Sequence, residues 1–275
     1  MSVVISAADV KKLRDITGAG MSDCKAALIE SDGDTDKAID FLRLKGQKIA
    51  GKREDRDAKE GVCLALCNED FTKGIIVRIS SETDFVSRNE DFVNFCKAIA
   101  QTALSAFPAT AAELNATAFD GATVGERIME RVAAIGEKIE VAGYGRIEGP
   151  CVAPYIHMGN KAAVLMGLNK EGFVGAGRDA AMQVAAMKPI SVSKDSVPAN
   201  VIEKELEIGK ELARQEGKPE AMLDKIAQGR LNKFFQESTL LAQVFVKDGK
   251  KTVGEYLEGL TPGLTATEFV HLTNG

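Results

Sequence analysis

From residue 61 the spacing of apolar positions passes from strand-like runs to a three-and-four repeat, the mark of strands leading into a helix. Gly74-Ile75-Ile76-Val77-Arg78-Ile79 reads as a buried strand, and residues 62–67 as its hairpin partner across a turn at 68–73. Ser87-Arg88-Asn89-Glu90 has the Ser-x-x-Glu form of a capping box, in which a hydroxyl and a carboxylate satisfy free amides at a helix start. The helix it opens carries Phe92, Phe95, Ile99 and Ala103 on one face. Thr123-Val124-Gly125-Glu126 is a second such box, with Val124, Ile128, Val132 and Ile135 along one stripe. Residues 138–147, 152–158 and 162–168 read as three strands, with turns at Glu148-Gly149-Pro150 and Gly159-Asn160. Strands and helices grouped in this way predict an α+β core.

The two halves of that core look alike. Lys73-Gly74-Ile75-Ile76-Val77 through Asp84-Phe85-Val86 parallels Lys161-Ala162-Ala163-Val164-Leu165 through Gly172-Phe173-Val174, each followed by a helix. With Phe85 laid on Phe173, Ala98 falls on Ala186 and Ile99 on Met187. Two related strand-plus-helix subdomains are expected, at 61–150 and at 151–197 with 237–258. The second copy has Gly172 where the first has Asp84, so the acid is not required merely to start a helix.

Around this core lie helical segments. In residues 1–45, Ser6-Ala7-Ala8-Asp9 starts a helix bearing Val10, Leu13 and Ile16, and Thr17-Gly18-Ala19-Gly20-Met21 breaks it. Ser22 can cap a second helix, and Ser31-Asp32-Gly33-Asp34 a turn into a third that carries Ala38, Ile39, Phe41 and Leu42. So small a three-helix unit has little core and is expected to be only moderately stable alone. Residues 46–60 form a charged connector, in which Lys48, Lys52, Arg53, Arg56 and Lys59 are interleaved with Glu54, Asp55, Asp57 and Glu60. That mixture favours a solvated helical linker over a basic RNA patch. Residues 198–236 read as a helical hairpin protruding from the body, with Ile202, Leu206, Gly209 and Ala213 facing Leu223, Ala227, Leu231 and Phe234 across Glu216-Gly217-Lys218-Pro219. Its exposed face suits pairing of two copies, and a simple intramolecular hairpin is the other reading. A short helix over 252–257 and a poorly ordered tail at 259–275 complete the chain.

Composition narrows the function. The 275 residues carry a net charge of −5, no tryptophan and only 5% aromatic residues, which argues against direct nucleic-acid binding. No apolar run is long enough to span a membrane, and Met1-Ser2-Val3-Val4-Ile5-Ser6 lacks the form of a secretory leader, so a cytoplasmic protein is expected. The five cysteines (Cys24, Cys63, Cys67, Cys96, Cys151) have neither disulfide-like nor metal-ligand spacing and read as buried thiols. Neither a nucleophile elbow nor a Gly-x-x-x-x-Gly-Lys loop is present, and Gly172-Phe173-Val174-Gly175-Ala176-Gly177 lacks the spacing of a dinucleotide fingerprint. His157, one of two histidines, has no local partner for general-base work. No enzyme, cofactor or metal is expected; a protein that acts on another protein is.

Thr83-Asp84-Phe85-Val86 is the candidate for that action. It places an aromatic and a carboxylate in a tight corner between a strand and a helix start. Phe85 is read either as a staple holding the corner to the core or as a wedge into a partner.

The ordered motifs resemble one family. Val10-Lys11-Lys12-Leu13-Arg14 with Thr17-Gly18-Ala19-Gly20-Met21-Ser22-Asp23-Cys24-Lys25-Ala26-Ala27-Leu28, then Thr83-Asp84-Phe85-Val86, Ile135-Gly136-Glu137, Tyr155-Ile156-His157, Ala185-Ala186-Met187-Lys188-Pro189 and Gly217-Lys218-Pro219 follow the order seen in bacterial-type elongation factor Ts, the nucleotide exchange factor of elongation factor Tu. Gly229-Arg230-Leu231-Asn232-Lys233 through Phe245-Val246 is also similar. The resemblance implies a ubiquitin-associated-like N-terminal domain, a two-part core and a helical dimerisation module. It implies that Asp84 and Phe85, flanked by Thr83 and Val86, enter the partner's GTPase domain beside the nucleotide. Arg14, Met21 and Lys25 would dock the same domain, Ile135 and Gly136 would add contacts, and His157 would engage the partner from the second subdomain. GDP, GTP and Mg²⁺ would belong to the partner. Gln183 stands where many relatives have histidine, so no role is carried to it. A rival expectation is a protein- or RNA-binding adaptor built on the N-terminal helices.

Overall fold

The structure is a computed structural model describing residues 4–53 and 55–274, without the side chains of Ala50 and Lys52. Met1-Ser2-Val3 of the leader reading, and Glu54 and the Lys52 side chain of the charged connector, lie outside the described residues.

Two three-stranded antiparallel sheets of the same order form the centre. The first is β1 (Glu60–Cys67), β2 (Lys73–Ser81) and β5 (Glu140–Glu148); the second is β6 (Cys151–Ile156), β7 (Ala162–Leu168) and β8 (Ala266–Thr273). Because side chains alternate across a strand, each sheet has two apolar faces to bury. Val62, Leu64, Ile75, Val77 and Ile79 meet α5 (Glu90–Ala106) and α7 (Val124–Ile135) on one side. Cys63, Ala65, Ile76, Val152, Ala163 and Leu165 fill the space between the sheets. Val164, Met166 and Leu168 meet α8 (Val174–Met187) and α11 (Val253–Leu260) on the far side. The result is four layers, helix–sheet–sheet–helix, and the fold class is α+β as the pattern required. The expected helix faces are in place, with Phe92, Phe95, Ile99 and Ala103 buried on α5 and Val124, Ile128 and Val132 on α7.

Four expectations are corrected. The third N-terminal helix does not stop at 45: α1 (Ala7–Thr17), α2 (Met21–Glu30) and α3 (Thr35–Lys52) form the unit, and α3 runs into the charged connector. There Ile49 packs on the first core, and Gly46 lies so close to α7 that an added Cβ would stand 2.6 Å from the Met129 carbonyl oxygen. The charges around them hid this apolar edge. The tail is also ordered: residues 266–273 are β8, whose Val270 and Leu272 pack between the sheets. A register shift between Gly167 and Leu168 turns Ala266 towards the outer core and interrupts the simple alternation. Finally, Ser87 is not the cap of the long helix. A separate turn, α4 (Asp84–Ser87), precedes it, and the Phe92 amide donates to Asn89 Oδ1 at 3.2 Å. Ser22 likewise yields the α2 N-cap position to Gly20. Short elements in the expected connection, α6 (Ala111–Ala116) and the ribbon β3 (Ala118–Phe119) with β4 (Ala122–Thr123), are too brief to leave a periodic signal.

The protruding segment is α9 (Ala199–Gln215) and α10 (Leu223–Ser238). Its seam is thin, with Gly209 and Ala213 against Leu223, Ala227 and Leu231. An added Cβ at Gly209 would sit 3.1 Å from the Ala227 Cα, so glycine there sets the close approach of the two helices. Ion pairs Lys210–Asp224, Arg214–Glu220 and Arg230–Glu216 line the flanks. The cysteines are unpaired thiols, and burial pushes Cys63 to about 11 and Cys67 to about 12.

β8 also carries a titration signature. His271 is held below the usual histidine value of 6.5 by burial and by the nearby charge of Lys188, and its Nε2 is buried without a hydrogen-bond partner. The unfolded chain therefore takes up a proton at a pH where the folded chain does not. Folding stability should be full above the ordinary histidine value and fall as pH drops from there towards the folded value. Urea midpoints measured from about pH 7.5 to about pH 5.5 should decline, and His271→Gln should flatten part of that slope. An unchanged slope in the variant would assign the decline to other groups.

Candidate functional site

Phe85 stands on the single turn α4 and is 86% exposed. The staple reading fails, because its ring is not in the core; Val86 beside it is the residue that packs inward. The equivalent Phe173 in the second half does pack against its own core, so the two copies have parted at this position. Asp84 pairs with Arg88 at 3.1 Å on the surface, an exposed contact of little energetic weight that leaves the carboxylate accessible.

Phe85 and Ile135 line one surface depression of about 330 Å³ with Val86, Asn89, Phe92 and Arg131. Ile135 ends α7 and is exposed; Gly136 closes the helix with φ +77°, its amide donating to the Val132 carbonyl at 2.8 Å. Arg131 lies 4.9 Å over the Phe95 ring. It also borders the α1–α2 loop, since a Cβ at Gly18 would be 3.5 Å from its Nη1. On either side of that loop, Arg14 on α1 and Met21 and Lys25 on α2 lie on the surface of the three-helix unit, all exposed. The structure thus brings the α1–α2 loop, the end of α7 and the Phe85 corner to one side of the molecule.

His157 lies apart, in the turn between β6 and β7 rather than in a strand. Its Nδ1 is 3.1 Å from the Tyr155 hydroxyl, and Met158 next to it is 88% exposed. Lys161 and Gly61 are joined there by Asn274, which donates to the carbonyl oxygens of both at 2.8 Å, while Gly61 pairs with Ser80. The His157 turn therefore lies beyond the same end of the stacked sheets as the corner.

Sequence reasoning assigned no role to the residues that brace the corner. Glu137 Oε2 accepts from the amides of Glu82 and Thr83 at 3.1 and 3.0 Å, and its Oε1 accepts from the Thr83 hydroxyl at 2.7 Å. Glu82 in turn accepts from the Lys138 amide at 2.7 Å and pairs with Arg53 and Arg56. Burial pushes the Glu82 carboxyl up, but the Lys138 N–H and the two guanidiniums outweigh it and hold the group below the usual carboxylate range. These partners are more than 25 residues apart in sequence, so periodicity carries no trace of them. Gln183 is fully buried; its amide donates to Gln243 Oε1 and the Val244 carbonyl and accepts from the Val246 amide, which is a structural role.

Comparison with known proteins decides the family. A family model described as Elongation factor TS matches residues 82–275, beginning one residue before the corner. Proteins named Elongation factor Ts from Amoebophilus asiaticus, Cytophaga hutchinsonii and Christiangramia forsetii are 50%, 47% and 45% identical. The alignments cover 99%, 98% and 98% of this chain and 100%, 98% and 99% of theirs. The chain belongs to the elongation factor Ts family. It is therefore a translation elongation factor, working in protein biosynthesis. The three N-terminal helices precede the elongation factor Ts model match but fall within the alignments to the relatives. Among the described residues no group of His, Cys, Asp or Glu is arranged to hold a metal ion, and no helix is long and apolar enough to cross a membrane.

Proposed function

We propose that this chain is the guanine nucleotide exchange factor of its cognate elongation factor Tu. It binds the GDP form, promotes release of GDP and Mg²⁺, and stabilises the nucleotide-free state until GTP enters. The observation that supports this reading most is a phenylalanine kept 86% exposed on a corner held by a carboxylate. A large aromatic ring in water with no core to join is suited to burial in a partner.

The energetics follow from linkage. A factor that binds the empty partner more tightly than the loaded one weakens nucleotide binding by the same free energy. A 10⁴-fold weakening needs about 5.5 kcal/mol of differential contact. A buried aromatic hot spot supplies roughly 2–4 kcal/mol, so Phe85 carries part of it. The remainder falls to Asp84, to Ile135 and Gly136, to Arg14, Met21 and Lys25 on the helices either side of the α1–α2 loop, and to His157 in the second half, acting on the partner's phosphate loop and metal coordination. GDP, GTP and Mg²⁺ belong to the partner, and no covalent bond is made or broken by this chain. In the same reading the factor works in the cytoplasm, without direct contact to nucleic acid or membrane, and the hairpin at 198–236 is where two copies would pair. An adaptor built on the N-terminal helices would leave the exposed Phe85 without a use.

The test is release of labelled GDP from the cognate elongation factor Tu by stopped flow. Added factor should raise the release rate in a saturable manner. Release that proceeds at the same rate with and without the chain would refute the reading.

A further inference from the structure

We propose that Glu137 is a positioning residue that pre-organises the Phe85 wedge, an inference that rests on the exchange reading above. α4 spans four residues, too few to be a stable helix on its own. Thr83 occupies its N-cap position, yet its side chain accepts from no amide of the turn; its hydroxyl donates to Glu137 Oε1. The turn that carries Phe85 is therefore ordered from outside. One carboxylate takes both backbone amides at the entry of the turn and the hydroxyl of its N-cap residue.

The brace is reciprocal. The amides of residues 82 and 83 point to the side chain of residue 137, and the amide of residue 138 points to the side chain of residue 82. Two segments distant in sequence are clamped main chain to side chain in both directions. Glu137 directly follows the exposed Ile135 and the left-handed Gly136, so the same clamp fixes the separation of Phe85 from the end of α7. Arg53 and Arg56 close on Glu82 from the connector and tie the segment after α3 to the corner as well. A wedge held in its bound geometry loses less conformational freedom on docking, so order in the free protein becomes affinity in the complex. Glu137 acts through Phe85 and touches neither nucleotide nor metal.

The experiment combines two readouts on Glu137→Ala, Glu137→Gln and Phe85→Ala, singly and in combination. In the free protein, Glu137→Ala should reduce hydrogen-exchange protection of the Thr83 amide by about tenfold or more, because a charged acceptor is lost. Glu137→Gln keeps a carbonyl acceptor and should restore most of the protection. In the exchange assay, Glu137→Ala should raise the half-saturating factor concentration by about tenfold, while in the Phe85→Ala background it should add less than about twofold. That loss of effect is what a merely structural role would not produce. Unchanged Thr83 protection in Glu137→Ala, or equal losses with and without Phe85, would overturn the proposal. If Glu137→Ala does not fold, Thr83→Val, which removes only the hydroxyl, must show the same Phe85-dependent loss or the proposal fails. Absence of exchange stimulation by the unmodified chain would sink the exchange reading, while the amide protection still decides the brace.

Discussion

Phe85→Ala should leave the chain folded and remove most of its exchange activity. The ring is 86% exposed, so its truncation opens no cavity, and surface changes of this kind shift stability by no more than about 0.5 kcal/mol. The same ring is the largest apolar group at the corner available to a partner. Loss of a buried aromatic anchor costs roughly 2–4 kcal/mol of binding, or about 30- to 1,000-fold in the stimulated release rate at limiting factor. A thermal melt and a stopped-flow trace on the same preparation separate the two effects. A folded variant with undiminished activity would remove Phe85 from the mechanism and shift the differential contact to the α1–α2 loop and the end of α7.

The second large effect is expected at the other end of the chain. A protein ending at Leu264 should lose its cooperative unfolding transition. Such a chain lacks Ala266 and Phe269 from the outer core and Val270 and Leu272 from between the sheets. It also lacks the Asn274 amide that donates to the Gly61 carbonyl. Full burial stabilises a large apolar side chain by about 1.5–3 kcal/mol; Phe269, Val270 and Leu272 are half-buried, and even a fraction of that from each is a large share of the roughly 5–15 kcal/mol stability of an ordinary domain. The β5 glycines show how closely β8 is fitted: a Cβ at Gly143 would stand 2.9 Å from Leu272, and one at Gly145 3.1 Å from Val270. Urea unfolding followed by circular dichroism is the measurement. A sharp transition with an unmoved midpoint would show that the rest of the stack is self-sufficient.

What the sequence made legible was whatever repeats locally. The apolar faces of α5 and α7, the β1–β2 hairpin and the paired helices at 199–238 all follow from periods of two or about three and a half. β8 was hidden because the segment leading into it, Thr261-Pro262-Gly263-Leu264-Thr265, reads as a turn, and its alternation is broken by the register shift opposite Gly167. The second half of α3 was hidden because charge dominates a segment whose buried edge is marked by Gly46 and Ile49. The site was legible in part. Thr83-Asp84-Phe85-Val86 was visible as an unusual corner, and family resemblance named Ile135, Gly136 and His157. The outward direction of Phe85 was not visible, because a residue between two elements belongs to neither period. Nor was the bracing role of Glu137, a member of the quoted Ile135-Gly136-Glu137 motif whose contact with Thr83 joins positions 54 apart.

The placement of the hairpin between β7 and β8 has a consequence for biosynthesis. Residues 169–265 separate the two strands, so β7 leaves the ribosome long before its outer neighbour exists. During that interval β6 and β7 form a two-stranded ribbon whose open edge has unpaired amides and carbonyls flanked by Val164, Leu165 and Met166. Such an edge is a template for strand pairing between nascent chains. The first sheet is spared the longest wait, since β5 follows β2 after residues 82–139. Synthesis order thus makes the second sheet the last to be completed, and the one whose open edge waits longest for its partner strand.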